Sequence, residues 1–301
     1  MGSLARRFGA PLIVPVRKPF RLDLTVDALR RLASNVVDVV DANGTYYRAV
    51  RVANSTALLA VRARDDGSIE LRATGAGGER WIPVVVRMLG TTVNLSDWRA
   101  RSRQIAWLQP IASALRGLKP PRYPSLWEAC AHAIVFQQIS IQAAAAIMRR
   151  AVRSLGDELT AEGARCVLFP DAERWLSAGD VDLRAVGLSR NKLAHIRSAA
   201  AAFVEGTIDE TELESLPTPE AARRLCEIRG IGPWSASVML LRGLGRLDVF
   251  PLRDSGVARS LRLLAGEANV DQSALLARLG ATRGMLYYHL LLGRLRNLVP
   301  A

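Results

Sequence analysis

Two helical segments separated by four residues constrain this chain more than any other feature. Thr218-Pro219-Glu220 starts the first of them, with a capping hydroxyl, a proline at the first helical position and an acid in the first turn. Apolar residues from Pro219 to Ile228 recur at three and four, and they do so again from Pro233 to Leu244. Only Arg229-Gly230-Ile231-Gly232 lies between. Glycines two apart let a backbone turn tightly and approach another molecule closely. The first N–H groups of the second helix then point outward at the positive end of its dipole, a ready site for a phosphate oxygen. Ile231 between the glycines is expected to plug into the core and hold the hairpin's shape.

The rest of the chain divides into two patterns. Phe20, Leu22, Leu24 and Val26 alternate with polar residues, which predicts a strand with one buried face, followed by a short helix from Asp27 to Leu32. Val36 to Val40, Tyr46 to Val52, Leu58 to Arg64 and Ile69 to Ala73 are further strands. Asn43-Gly44 and Asp65-Asp66-Gly67 supply hairpin turns, since these residues accept positive φ. From about Leu95 the spacing becomes helical. It predicts helices over Ile105–Leu115, Leu126–Leu155, Ala172–Ala178, Asn191–Glu205, Ser255–Ala265, Gln272–Leu279 and Arg283–Leu298 beside the hairpin pair. The paired prolines in Gly117-Leu118-Lys119-Pro120-Pro121-Arg122 mark a joint. The expected fold is an α+β antiparallel-sheet domain with a connecting helix, residues 1–117, followed by an all-α domain, residues 118–301.

Composition narrows the function classes. A net charge of +13, carried almost wholly by arginine since lysine occurs only at 18, 119 and 192, favours polyanionic partners. Cys130, Cys166 and Cys226 are far apart and odd in number, which fits neither a disulfide framework nor a metal-ligand spacing nor a four-cysteine iron–sulfur cluster. No uncharged apolar run reaches membrane-spanning length, and Met1 to Pro15 shows no leader pattern, so a cytoplasmic location is expected.

Longer strings carry a family resemblance. Leu225-Cys226-Glu227-Ile228-Arg229-Gly230-Ile231-Gly232-Pro233-Trp234-Ser235-Ala236 resembles the helix-hairpin-helix motif of base-excision DNA glycosylases. Asp254, in Asp248-Val249-Phe250-Pro251-Leu252-Arg253-Asp254, follows at the spacing where that superfamily places its catalytic aspartate. Ala133-Ile134-Val135-Phe136-Gln137-Gln138-Ile139-Ser140 and Val186-Gly187-Leu188-Ser189-Arg190-Asn191-Lys192 resemble two further segments of the family, in the right order. The resemblance spans roughly Leu118 to Leu298. The α+β domain ahead of it is similar in architecture to that of the alkylation-repair branch, DNA-3-methyladenine glycosylase II.

The resemblance implies removal of damaged bases, with 3-methyladenine and 7-methylguanine as the type substrates, by base flipping and hydrolysis of the N-glycosidic bond. Asp254 would be the catalytic carboxylate; a helix N-cap is the ordinary alternative for an aspartate there. Asp248, at the turn before Val249-Phe250-Pro251, is read as structural. The lyase lysine of bifunctional members stands two residues after the second glycine, where this chain has Trp234, so a lyase step is not expected. Trp234, Gln137 and Trp127 would line the base pocket, while Gln138, Arg229, Gly230, Gly232 and Ser235 would contact DNA, Gln138 as the wedge. No cofactor is required, although backbone carbonyls of Cys226, Ile228 and Ile231 would hold an alkali-metal ion. Two aromatic positions that sandwich the alkylated base fall on Val238 and Leu291. Phe136, Tyr287 and Tyr288 remain as replacement aromatic surface or as core. The expected partner is double-stranded DNA with a damaged base, without membrane, the chain acting as a monomer. A glycosylase for oxidised or mismatched bases, and a DNA-binding protein without catalysis, are the competing readings.

Overall fold

The computed structural model describes residues 7–265, 270–296 and 298. Met1–Arg6, part of the segment read as lacking a leader, lies outside the described residues.

Five antiparallel strands, β1 (Leu12–Val14), β2 (Asp38–Val40), β3 (Tyr46–Val52), β4 (Ser55–Ala63) and β5 (Ile69–Ala73), form one sheet in the order β1-β5-β4-β3-β2. Gly44 and Gly67 adopt φ of 78° and 75°, as the turn residues between strands require. Side chains alternate along β4. Ala57, Leu59 and Val61 face the main core, and Leu58 faces a smaller cluster on the other side.

Helices α1 (Leu22–Arg30), α2 (Ile82–Leu89), α3 (Ser96–Ser102) and α4 (Gln109–Ala114) accompany the sheet. The helical half contains α5 (Leu126–Phe136), α6 (Ile141–Leu155), α7 (Ala172–Ser177), α8 (Asp180–Ala185), α9 (Arg190–Val204) and α10 (Glu210–Ser215). It continues with α11 (Thr218–Cys226), α12 (Pro233–Arg242), α13 (Ser255–Ala265), α14 (Gln272–Leu279) and α15 (Gly284–Leu295). None of the helices described is long and apolar enough to cross a membrane.

The strand expected over Phe20 to Val26 is helix α1 instead, and its alternation has a physical cause. Leu22, Val26 and Leu29 form one helical stripe in the sheet-side core, while Leu24 and Ala28 form a second stripe against α3, α4 and α15. A helix buried on two sides mimics period two over a few residues. Two strands unforeseen in the helical half, β6 (Glu158–Ala161) and β7 (Ala164–Val167), make a hairpin whose Leu159, Ala161 and Cys166 cover the outer face of the sheet at Ala49 and Leu58. The helix expected from Leu126 to Leu155 is two helices, because Ser140 caps α6 by accepting the Ala143 N–H at 3.1 Å. Thr218 does not cap α11. Pro217 precedes the helix, and the Thr218 hydroxyl accepts from Arg246 instead, at 3.0 Å.

The joint at Gly117–Pro121 is buried throughout. Its Gly117 carbonyl accepts the Arg21 N–H at 2.8 Å, and the Lys119 N–H reaches Thr25 Oγ1 at 3.2 Å.

Two buried arginines orient the helices that matter most. Arg48 on β3 donates to Asp38 at 2.5 Å and, through its other nitrogen, to both Glu128 oxygens at 2.7 and 2.5 Å, tying the start of α5 to the sheet. Arg242, the last residue of α12, donates to the Ala28 and Leu29 carbonyls near the end of α1 at 3.0 and 3.3 Å. Replacing Arg48 leaves two carboxylates in the core without a counter-ion. Arg48→Met is therefore expected to lower stability by about 3–5 kcal/mol in urea unfolding. A loss under about 1 kcal/mol would show that this triad does not anchor α5.

Candidate functional site

The end of α5 and the hairpin after α11 meet through one side chain. Gln137, the residue after α5, donates from Nε2 to the Gly230 carbonyl at 2.9 Å and to the Ser235 hydroxyl at 2.8 Å. Lys192, near the start of α9, holds the same segment from below. Its Nζ donates to the Gln137 carbonyl at 2.9 Å and to the Val135 carbonyl. Burial lowers the Lys192 pKa from the ordinary lysine value. Ser189 caps α9 by accepting the Lys192 N–H at 3.3 Å, so the Gly187-Leu188-Ser189 turn sets where that ammonium lies. The hairpin packs on α9 as well. A Cβ at Gly230, whose φ is +90°, would fall 2.2 Å from His195 Cγ. A Cβ at Gly232 would meet nothing within 4 Å. The first glycine is thus required by the fold and the second leaves an open surface at the N-terminus of α12. Ile231 between them is 4 % exposed and plugs into the core.

Asp254 stands at the entry to α13 and uses its two oxygens separately. Oδ1 accepts the Val257 N–H at 3.0 Å, and Oδ2 accepts the Trp234 indole N–H at 3.2 Å. The helix-cap role and a chemical role therefore coexist in one residue, since the cap fixes the carboxylate and Trp234 orients its second oxygen. Trp234 is half-buried at the start of α12, so the hairpin and the aspartate belong to one site. Arg294 on α15 lies close by. A Cβ at Gly256 would fall 2.3 Å from Arg294 Nη1 and 3.3 Å from Asp254 Oδ1, so the guanidinium occupies the space this glycine leaves beside the carboxylate. Two non-glycine residues with left-handed backbone flank the site, Gln138 at φ 57° and Arg253 at φ 62°. Such conformations cluster where function over-determines the backbone. Ile139 and Leu252, next to them, are exposed apolar residues.

The structure brings together Gln137, Gln138, Gly230, Gly232, Trp234 and Asp254. Arg229 is exposed at the hairpin tip, and Asp248 is exposed in the turn after α12. Other expectations need correction. Trp127 is core: its indole N–H donates to the Pro170 carbonyl at 3.0 Å and its ring meets Trp175 and Phe203 edge-on. It also stands about 15 Å along the α5 axis from Gln137. Ser235 is 2 % exposed and its hydroxyl faces Gln137, so its side chain does not reach the surface. Gln137 is committed to bracing the hairpin. Val238 and Leu291 are buried among apolar neighbours, and the Tyr288 hydroxyl donates inward to the Pro121 and Leu241 carbonyls. Phe136 is half-buried beneath the Arg31 guanidinium, 4.4 Å from its ring centre. Lys192, His195 and Arg294 were not singled out from sequence. Only Lys192 had a visible signal, its place in the Gly187-Leu188-Ser189 segment.

Residues 131–280 match the family described as HhH-GPD superfamily base excision DNA repair protein. It is 30 % identical over 148 residues to a DNA-3-methyladenine glycosylase of Bacillus subtilis, covering 49 % of each chain. The chain spans about half the length of the first curated relatives it matches. The whole fold is shared with the solved 3-methyladenine DNA-glycosylase of Archaeoglobus fulgidus, with TM-score 0.79, 24 % identity and 97 % and 100 % of the two chains covered. It is shared also with an 8-oxoguanine glycosylase/lyase of Clostridium acetobutylicum, with TM-score 0.75, 14 % identity and coverage of 96 % and 99 %.

The two hairpin glycines should respond differently to substitution. Gly232→Ala should leave the melting temperature within about 2 °C, a small effect for an open surface position. It should nonetheless weaken duplex DNA binding, because the methyl group stands where a phosphate would approach. Gly230→Ala should lower the melting temperature clearly through its clash with His195. Equal melting losses for both would contradict the assigned division of roles.

Proposed function

We propose that the protein is a DNA glycosylase that rotates an alkylated purine out of the duplex and hydrolyses its N-glycosidic bond without cutting the strand. The observation that carries this reading is the pairing of Asp254 with Trp234 at the mouth of the hairpin. Breaking the bond to C1′ builds positive charge on the sugar, and a fixed carboxylate stabilises that charge and orients or deprotonates the attacking water. The name of the Bacillus subtilis relative, a DNA-3-methyladenine glycosylase, supports alkylated bases as the substrate class.

The remaining parts take their roles from position. N–H groups at Gly232, Trp234 and Ser235 lie at the positive end of the α12 dipole and bind a backbone phosphate. Exposed Gln138, held in its left-handed turn after α5, fills the gap left by the flipped base. The Trp234 indole offers the ring face on which a cationic alkylpurine stacks, since Val238 and Leu291 supply no aromatic surface. The end of α11 fits the alkali ion that the family implies, because its last carbonyls face away from further helix. Cys226, Ile228 and Ile231 carbonyls would hold the ion, which supplies positive charge behind the phosphate. The Ile228 carbonyl already accepts the Ile231 N–H at 3.0 Å and retains a second lone pair.

The positions of the lysines support base removal without strand cleavage. A lyase step needs an amine able to attack C1′. Lys18 donates to the Asp66 carbonyl at 2.6 Å, Lys119 to the Val93 carbonyl at 2.7 Å, and Lys192 to two carbonyls beneath the Gln137 turn. Lysine occurs nowhere else in the chain.

Asp254→Asn separates chemistry from folding, because asparagine caps a helix about as well as aspartate. On a duplex with one 7-methylguanine, the variant should keep its melting temperature and DNA affinity and lose base release by about a hundredfold or more. Wild-type rates in a folded, DNA-binding variant would remove Asp254 from the mechanism.

A further inference from the structure

A cavity of about 210 Å³ lies between α3, α4 and the Gly117–Lys119 segment, closed on one side by His289 of α15. It is not the candidate glycosylase site. His289 and Arg294, the α15 residue beside Asp254, are five positions apart, about 140° around a helix. The Trp98 and His289 rings pack at a tilt of 44° with centres 4.6 Å apart, and both line the cavity.

The rest of the lining is cationic. Arg99, Arg103, Arg116 and Lys119 all line the cavity, and among the described residues no carboxylate does. Among the described residues none of these four makes an ion pair. Lys119 is 1 % exposed, and its ammonium spends one donor on the Val93 carbonyl at 2.7 Å, with two more donors to place. Burial, followed by the charges of Arg99 and Arg17, lowers its pKa to about 8. A protein keeps a buried ammonium among like charges at a cost, which a bound anion offsets.

We propose that this cavity is a second anion site, built for a phosphorylated small molecule no larger than a mononucleotide. The volume far exceeds the roughly 10–15 Å³ that one water needs and stays below the roughly 300 Å³ at which drug-sized pockets begin. Four cations match a phosphoryl group carrying two or more charges, and arginine forks engage its oxygens in pairs. A backbone phosphate of a DNA strand passing the cavity has the same chemistry, and the experiment separates the two sources.

Inorganic pyrophosphate and deoxyadenosine monophosphate would be titrated calorimetrically into the wild-type chain and into Arg103→Gln/Arg116→Gln, whose altered side chains are exposed. Lys119→Met serves as a second variant. The expected result is one saturable site, weakened about tenfold or more in the double variant, as for loss of charge-assisted contacts. Base release and duplex affinity should not change. If neither small ligand binds, but the double variant binds duplex more weakly with a salt dependence reduced by about one per lost phosphate contact, the phosphate belongs to DNA and the anion site stands. Equal small-ligand binding in wild type and variants would assign it to the hairpin face and overturn the proposal. Absence of both effects would overturn it as well.

Discussion

The side-chain amide of Gln137 is the contact on which the site depends. By donating to Gly230 and Ser235 together, it locks the end of α5 to the hairpin and to the first turn of α12. Three features then become one object: the left-handed turn at Gln138, the N–H groups at the start of α12, and the Trp234 indole that reaches Asp254. Lys192 secures the segment from the other side by satisfying carbonyls at the end of α5, where a helix leaves them without partners.

That lock is only as firm as the helices it joins. Arg48 holds the start of α5 on the sheet through Glu128, and Arg242 holds the end of α12 on the carbonyls of α1. Both arginines are completely buried, so each link is strong in the low-dielectric interior and costly to break on one side. The α+β half is thus a support for the helical half, reinforced by the β6–β7 hairpin that crosses back over the sheet's outer face.

Much of this was legible in sequence because it rests on local chemistry. Strands β3 and β5 fall where Tyr46–Val52 and Ile69–Ala73 alternate, and α13 and α14 fall where their apolar spacing predicts. Pro233 opens α12 and Ile231 plugs into the core, as glycine and proline rules require. What was hidden depends on tertiary partners. Alternation at Leu22, Leu24 and Val26 reads as a strand until two separate cores appear on either side of a helix. Trp127 and Ser235 looked available for function, but their polar atoms are used by Pro170 and Gln137, contacts far away in the chain. Arg294 packs over Gly256 only because that glycine has no side chain, and neither residue type announces that in advance.

The most direct test of base removal is to incubate the purified protein with methylated duplex DNA. The released bases would be chromatographed, and the DNA assayed for strand breaks before and after alkali. A monofunctional alkylbase glycosylase releases free 3-methyladenine or 7-methylguanine, and breaks appear only after alkali. Release of no base, or breaks already present before alkali, would contradict the reaction assigned to Asp254 and Trp234.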